Sequence, residues 1–479
     1  MKHHIYFSLF FIIAIAVSAM AQDVFVSEGR SLRGDDDYTI VGKIDENILL
    51  FVDKPDAYEV QAFDSEMKEL WKKKIEFESK RAKVLTVNEN KDYFTVIYKY
   101  NKRGKTFTQA VKFDANAEVL ATDTVEVKPY RGFYSLEGNV MSQDRRYILM
   151  YEMEMSERIY AMVYDMQEMR PVWNKVLQIK DIDIDRDFVQ VIVDDSARGY
   201  FIFSKDNRRM KRENSRFLVV NYDNETGVAR DVNISMQGRI WFDVGFEYDN
   251  LNDRLIAGGL YMDKRYTESN GYFFIRANMS SLDTQKVHFE PFEEKFIARA
   301  IGKEATKNRG IGEVSVRQLI MRRDGGALMI VERSRFYARN AGASLGSLYP
   351  SSEDRSLRMD YHLEDILLFA IHPDGKLHWN DVLQKRQFSQ DDGARFSSFL
   401  LMHTPRSLRF LYNNEIRNKT NVNEYIVTGT GDLERNSIYN SETHDVLLAL
   451  REAKQISASE AIIASERRNT LKLVRMVYP

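Results

Sequence analysis

The sequence predicts an all-β chain, a β-propeller of about seven four-stranded antiparallel blades (six or eight allowed) with one short amphipathic helix inserted. Three observations predict it. An aromatic–Asp pair ends a short alternating run at Phe63-Asp64, Phe113-Asp114, Tyr164-Asp165 and Tyr222-Asp223, at a spacing of about 50 to 58 residues. Trp71, Trp173 and Trp379 occupy one place in their respective units. The segments between these marks hold strand patterns and turn residues but no long helical pattern. A period of roughly 40 to 60 residues that carries several strands is what propeller blades produce.

The units can be followed along the chain. In the second, Tyr93 to Tyr100 is rich in β-branched and aromatic residues, Asn101 to Gly104 turns the chain, Thr106 to Phe113 returns, and a further turn leads into Val119 to Val127. The third runs through Tyr147 to Glu154, Arg158 to Tyr164 and Pro171 to Ile179. Gly199 to Ser204, Ser215 to Tyr222 and Gly227 to Ile234 form the fourth. The fifth is Arg254 to Tyr261, Tyr272 to Asn278 and Thr284 to Phe289, where Arg276 replaces the aromatic residue. Ala327 to Ser334, Asp365 to Ile371 and "HPDGKLHWNDVLQK" make a sixth. Phe396 to Met402, Leu408 to Tyr412, Val446 to Arg451 and Leu471 to Val477 supply a seventh. Alternatively, the last strand pairs with the first unit, Tyr38 to Lys43 and Asn47 to Val52, so that the two termini close the ring and remove free sheet edges.

Each recurrent residue has a physical task. A tryptophan on the last strand of a blade fills the gap against the neighbouring blade. The preceding Asp accepts hydrogen bonds from the turn that follows it. Pro291 to Gly302, "PFEEKFIARAIG", puts Phe292, Phe296, Ile297, Ala300 and Ile301 on one helical face, with Pro291 suited to the first turn and Gly302 to the stop. Its expected role is to pack onto the propeller. A long loop follows near 339–359, rich in Gly, Ser and Arg.

Composition sets the outer bounds. The 479 residues include 25 Tyr and 28 Phe but only 8 Pro, which is enough to bury a large core, and residues 22–479 are expected to form a single propeller domain. Residues 1–21 read as a signal peptide: Lys2 is followed by the apolar run Ile5 to Val17 and by Ala19-Met20-Ala21, with cleavage before Gln22. The apolar run is too short to span a bilayer, and no later stretch is apolar enough. With no cysteine, the chain has no thiol for a lipid anchor, disulfide, haem thioether or nucleophile, which suits bacterial export to the periplasm, outer surface or medium. A formal charge of −2 argues against a nucleic-acid partner. The basic cluster Arg208 to Arg212 reads as a solvated hairpin tip.

Searches for chemistry end without a site, and no catalytic, cofactor-binding or metal-ligating residue is assigned. His288, His362, His372, His378, His403 and His444 lack the spacing of metal ligands, although His372 and His378 flank one turn. In "DIDIDRDF" a strand would point Asp181, Asp183, Asp185 and Asp187 to one side, where they would hold calcium or face water. An EF-hand is excluded, since Arg186 stands where that loop needs Gly. Gly342-Ala343-Ser344-Leu345-Gly346 matches a nucleophile elbow, but no helix pattern follows it, so the match is taken as chance.

"AFDSEMKELW" and "IHPDGKLHW" resemble the structural repeat of quinoprotein-like (PQQ-type) propellers. That family carries a vicinal disulfide beside the quinone, which this chain cannot form, so the resemblance implies the blade and not the cofactor. "DILLFAIHPDGKLHWNDVLQKRQFSQDDGARFSSF", followed by "LRFLYNNEIRN", resembles a stretch of uncharacterised exported proteins of the Bacteroidota. This second resemblance covers the C-terminal third and implies an exported propeller-like protein with no assigned activity. The expected function is therefore a non-enzymatic binding or scaffold protein of the cell envelope, with a protein or glycan partner. The alternative is a polysaccharide hydrolase or lyase that uses carboxylates, Arg and Tyr in the central channel.

Overall fold

A computed structural model describes residues 22–478 apart from 56, 130–135, 155–156, 264–266, 280–285, 303–309, 341–356 and 417–420. The predicted propeller is present, with eight four-stranded antiparallel blades in place of the expected seven. Blades 1 to 7 span residues 37–75, 83–129, 136–178, 188–235, 240–291, 314–383 and 400–440. Blade 8 joins the two ends of the chain: Lys454–Ser457, Glu460–Arg467 and Thr470–Val477 are completed on the outside by Asp23–Val26.

Three corrections account for the extra blade. Leu471 to Val477 belongs to blade 8, and it is the first strand of the chain that pairs with it, not the last strand that pairs with blade 1. Val446 to Arg451 is not a strand, since its end enters a single 3-10 turn at Leu450–Glu452. The fourth strand of blade 7 is Leu433–Asn440, whose mostly polar, exposed residues hide its strand character.

The aromatic–Asp pairs fall at the end of the third strands, as their spacing requires. Asp64 Oδ1 accepts from the backbone N–H groups of Glu66 and Lys68 at 2.9 Å each, and Asp114 accepts likewise from Asn116 and Glu118 at 2.9 and 2.7 Å. A positive-φ residue, Met67 or Ala117, completes each turn. Trp71, Trp173 and Trp379 then stand on the outer strands opposite Ala62, Val163 and Ala370, each just past a β-bulge. Trp173 is buried; its Nε1 donates to the Ala197 carbonyl of blade 4 at 2.6 Å. Trp379 donates to Gly429 of blade 7 at 3.1 Å, and its ring occupies the space that a side chain at Gly431 would need.

Apolar clusters wedge the blades together. That between blades 1 and 2 centres on Phe51, Phe94, Tyr98 and Phe113, and that between blades 4 and 5 on Tyr200, Phe217, Phe246 and Phe273. The predicted helix is Glu294–Ile301, ended by Gly302 in a left-handed conformation (φ 64°). It buries Phe296, Ile297 and Ala300 against blades 5 and 6, and Phe292 stacks on Phe369. Pro291 ends a strand and does not open the helix.

Successive antiparallel strands give the disc two faces. Strands 1–2 and 3–4 of each blade join on one, here the turn face. Strands 2–3, and consecutive blades, join on the other, the loop face. The inserted helix, the 3-10 segment Arg209–Asn214 and the added strand Gln387–Gln390 belong to the loop face. Asp23 pairs with Val477 at the turn face, where the final strand ends.

Candidate functional site: a polar cleft between blades 2 and 3

The structure separates the residues on which a site was sought. The acidic run does not form a strand: Ile184–Asp187 is one turn of α-helix, because the chain bends here between blades 3 and 4. Asp187 is buried and paired with Arg186 at 2.6 Å and Lys205 at 3.3 Å, and Asp183 pairs with the same Arg186 at 3.0 Å, so basic side chains hold these two carboxylates. Among the described residues no group of three or more His, Asp or Glu side chains is arranged to hold a metal ion. His372 and His378 do meet, with ring centres 4.7 Å apart, on the exposed turn of blade 6. The basic cluster caps the hairpin of blade 4, where Lys211 pairs with Asp206 at 3.3 Å and Met210 is exposed. Gly342 to Gly346 lies outside the described residues, as do residues 1–21.

The central channel opens on the turn face into a depression of about 570 Å³ that includes Asp45, Glu89, Asp92, Asp144 and Arg145. Glu89 pairs with both Lys454 of blade 8 and Arg145 of blade 3. Lys454 also donates to the Val41 carbonyl at 2.5 Å. These contacts brace blades 1, 2, 3 and 8 against one another and satisfy the Glu89 carboxylate. Farther round, Glu247 on the innermost strand of blade 5 is exposed, yet the protein around it excludes enough water to push its carboxyl up to about 7.

A different place breaks the packing rule of the fold. Between blades 2 and 3 the apolar cluster shrinks, among the described residues, to seven buried side chains that include Ile97, Ile148 and Tyr164; the neighbouring interfaces bury 17 and 18. Toward the loop face the wedge is replaced by charge. Lys83, Lys99, Thr108 and Glu126 form one cross-strand row on blade 2, with Lys128 two residues on. Glu137, Glu152 and Tyr160 form the facing row on blade 3. The cavity between them measures about 240 Å³, with Leu85, Asn139, Met150 and Asn174 also in its wall. Gly138 has no side chain for a reason, since a Cβ there would sit 2.5 Å from the Tyr151 hydroxyl.

Ion pairs span the cleft. Glu137 accepts from Lys99 at 2.9 Å and from Lys83 at 3.1 Å, and Lys128 binds Glu152 and approaches Glu126 at 3.7 Å. The Lys99 contact first, working against burial and reinforced by Lys83, holds the Glu137 carboxyl down at about 2. Burial would lower the Lys128 amine, but Glu152 and Glu126 outweigh it and raise it. Three lysines and three glutamates make the cleft rich in charge and close to neutral in formal sum.

Sequence reasoning missed this site because its lysines and glutamates come from several strands and read one at a time as solvated positions. The signal was present in the alternation, since Lys83, Lys99 and Glu126 share a sheet face on which other blades carry aromatic and aliphatic residues.

No family model and no curated protein matches the chain. Solved structures to which it is similar include Sqt1 of Saccharomyces cerevisiae, at 11% identity and a TM-score of 0.46 over 95% of this chain and 100% of that one. Dipeptidyl peptidase 4 of Porphyromonas gingivalis gives 10% identity and a TM-score of 0.44 over 91% of this chain and 56% of that one. The propeller domain of the Trilobed protease of Pyrococcus furiosus gives 10% and 0.38 over 83% and 95%. Likenesses this distant accompany the propeller architecture and nothing narrower.

Proposed function

We propose that the chain is an exported, non-enzymatic binding protein of a bacterial cell envelope, of the kind its C-terminal third resembles in the Bacteroidota, and that its loop face meets a protein or glycan partner. The observation that carries this reading is the placement of the elaborations. The helix, the 3-10 segment, the added strand and the charged cleft share the face opposite the joined termini. A chain entering and leaving on the turn face leaves the loop face free to present a surface. The leader pattern before Gln22 and the absence of cysteine support export.

Expression of the full chain in a bacterial host, followed by intact mass and fractionation, tests this directly. The expected product begins at Gln22, lies outside the inner membrane, binds envelope glycan or protein and leaves polysaccharide chains uncut. A cytoplasmic product that keeps residues 1–21 would overturn the export reading. Release of reducing or unsaturated ends from a polysaccharide would replace the binding reading with the hydrolase or lyase alternative.

A further inference from the structure

We infer that the cleft between blades 2 and 3 is a subsite for one hydroxyl-rich sugar unit of an uncharged oligosaccharide. The inference deepens the binding reading above and rests on it.

Size, charge and chemistry each narrow the ligand. A cavity of about 240 Å³ falls below the roughly 300–1,000 Å³ of pockets that enclose drug-sized molecules, so it suits a single ring with the rest of the chain outside. Three lysines and Glu126 on blade 2 face Glu137 and Glu152 on blade 3, and each lysine is already paired with a facing carboxylate, so an anionic ligand would meet the repulsion of that carboxylate at each ammonium it contacts. A purely apolar ligand would strand the same charges without water.

A sugar ring avoids both costs. Ammonium groups only donate and carboxylates only accept, whereas a hydroxyl does both. Adjacent hydroxyls can therefore accept from Lys83 or Lys99 and donate to Glu137 or Glu152 without breaking either pair, as charge-assisted hydrogen bonds. Thr108, Tyr160, Asn139 and Asn174 add groups that donate and accept, and Leu85 and Met150 offer an apolar surface to the C–H face of a ring. Entry is from the loop face, where Lys83 keeps 70% of its side chain in solvent.

Calorimetry and saturation-transfer NMR on the full chain, with mannobiose, galactobiose and N,N′-diacetylchitobiose as neutral probes and a sulfated and a uronate disaccharide as anionic ones, tests the inference. At least one neutral disaccharide is expected to bind, and more tightly than either anionic probe. Tyr160→Phe and Lys83→Ala are each expected to weaken it about tenfold, the loss of one good hydrogen bond. Lys83→Ala leaves Glu137 paired with Lys99, so the fold is retained. Tyr337→Ala, on the protruding hairpin of blade 6, is expected to change nothing. Tighter binding of an anionic probe, equal affinity in the cleft variants, or no neutral binding would overturn the inference. If the chain still engages its envelope partner while no disaccharide binds, the cleft assignment fails alone; loss of both removes the binding reading as well.

Discussion

Val24 stands opposite Met476 in an antiparallel ladder that joins the two ends of the chain. Asp23–Val26 is the outermost strand of blade 8, and its valines pack against the cluster that contains Val474 and Met476. A chain that starts at Ser27 would leave residues 474–477 as an unpaired edge, with Arg30–Ser31 still on Thr470 and Leu471, and uncover part of that cluster. The expected loss is on the order of 3 kcal/mol from the missing ladder bonds and apolar contact, read as a lower midpoint in guanidinium. Self-association should also increase, since a free strand edge invites pairing.

The tryptophans share a position but not a burial, and this separates their contributions. Trp173 is buried and gives its N–H to Ala197, whereas Trp71 lies half-buried at the edge of its cluster. Trp173→Ala should cost about 3–5 kcal/mol, the range for emptying a large aromatic site in a packed core. Trp71→Ala should cost less than half as much. Equal costs in equilibrium unfolding would show that the indole acts through its strand and not through the gap it fills.

How far the sequence was legible follows the same division. Phe63-Asp64 and its echoes work within a few residues of themselves, so the turn, the bulge and the tryptophan can be read locally. The innermost strands of blades 2 to 6 escape such reading. Leu136–Met141 buries none of its residues fully, because its neighbours on the channel side are water and charge, and no alternation marks it. Blade 8 draws strands from both ends of the chain, and the pairing of Asp23–Val26 and Arg30–Ser31 with the final strand makes them one sheet. The cleft is harder still, since Lys99, Glu126 and Glu137 acquire meaning only when two registers and one blade interface are known.

Glu332 and Lys385 form a buried pair behind blade 6 that the sequence does not mark, since Glu332 follows an apolar run but Lys385 stands among Gln384, Arg386 and Gln387. Lys385 Nζ lies 2.7 Å from Glu332 Oε1, close enough for an ion pair though not aligned as a hydrogen bond, and donates to Gln387 at 2.9 Å and to the Leu363 carbonyl at 3.2 Å. Glu332 Oε2 receives Arg317 and Ser398 at 2.8 and 2.9 Å. Burial pushes the Lys385 amine down, against the pull of Glu332. Glu332→Ala would leave Lys385 and Arg317 without their counter-charge and should cost about 3–5 kcal/mol. Adding Lys385→Met to that variant should recover part of the loss. A double variant less stable than either single one would show that the lysine is held by its carbonyl and amide contacts instead.

The Glu137 pairings make the cleft sensitive to acid in a defined window. Lys99 and Lys83 hold this carboxyl at about 2, below the ordinary glutamate value of 4.5, so the folded state releases its proton more readily than the unfolded state does. A depressed acid contributes its full stabilisation above the unfolded value and loses it as pH falls through the folded one. Glu137 is partly exposed, so screening by solvent limits the effect to about 1 kcal/mol or less. Glu137→Gln should therefore be less stable than the parent at pH 7, and the gap should close between about pH 4.5 and pH 2. Urea unfolding of both proteins across that range measures it. A gap that stays constant with pH would mean that Glu137 contributes through packing and hydrogen bonding that its amide analogue disturbs, and not through its charge.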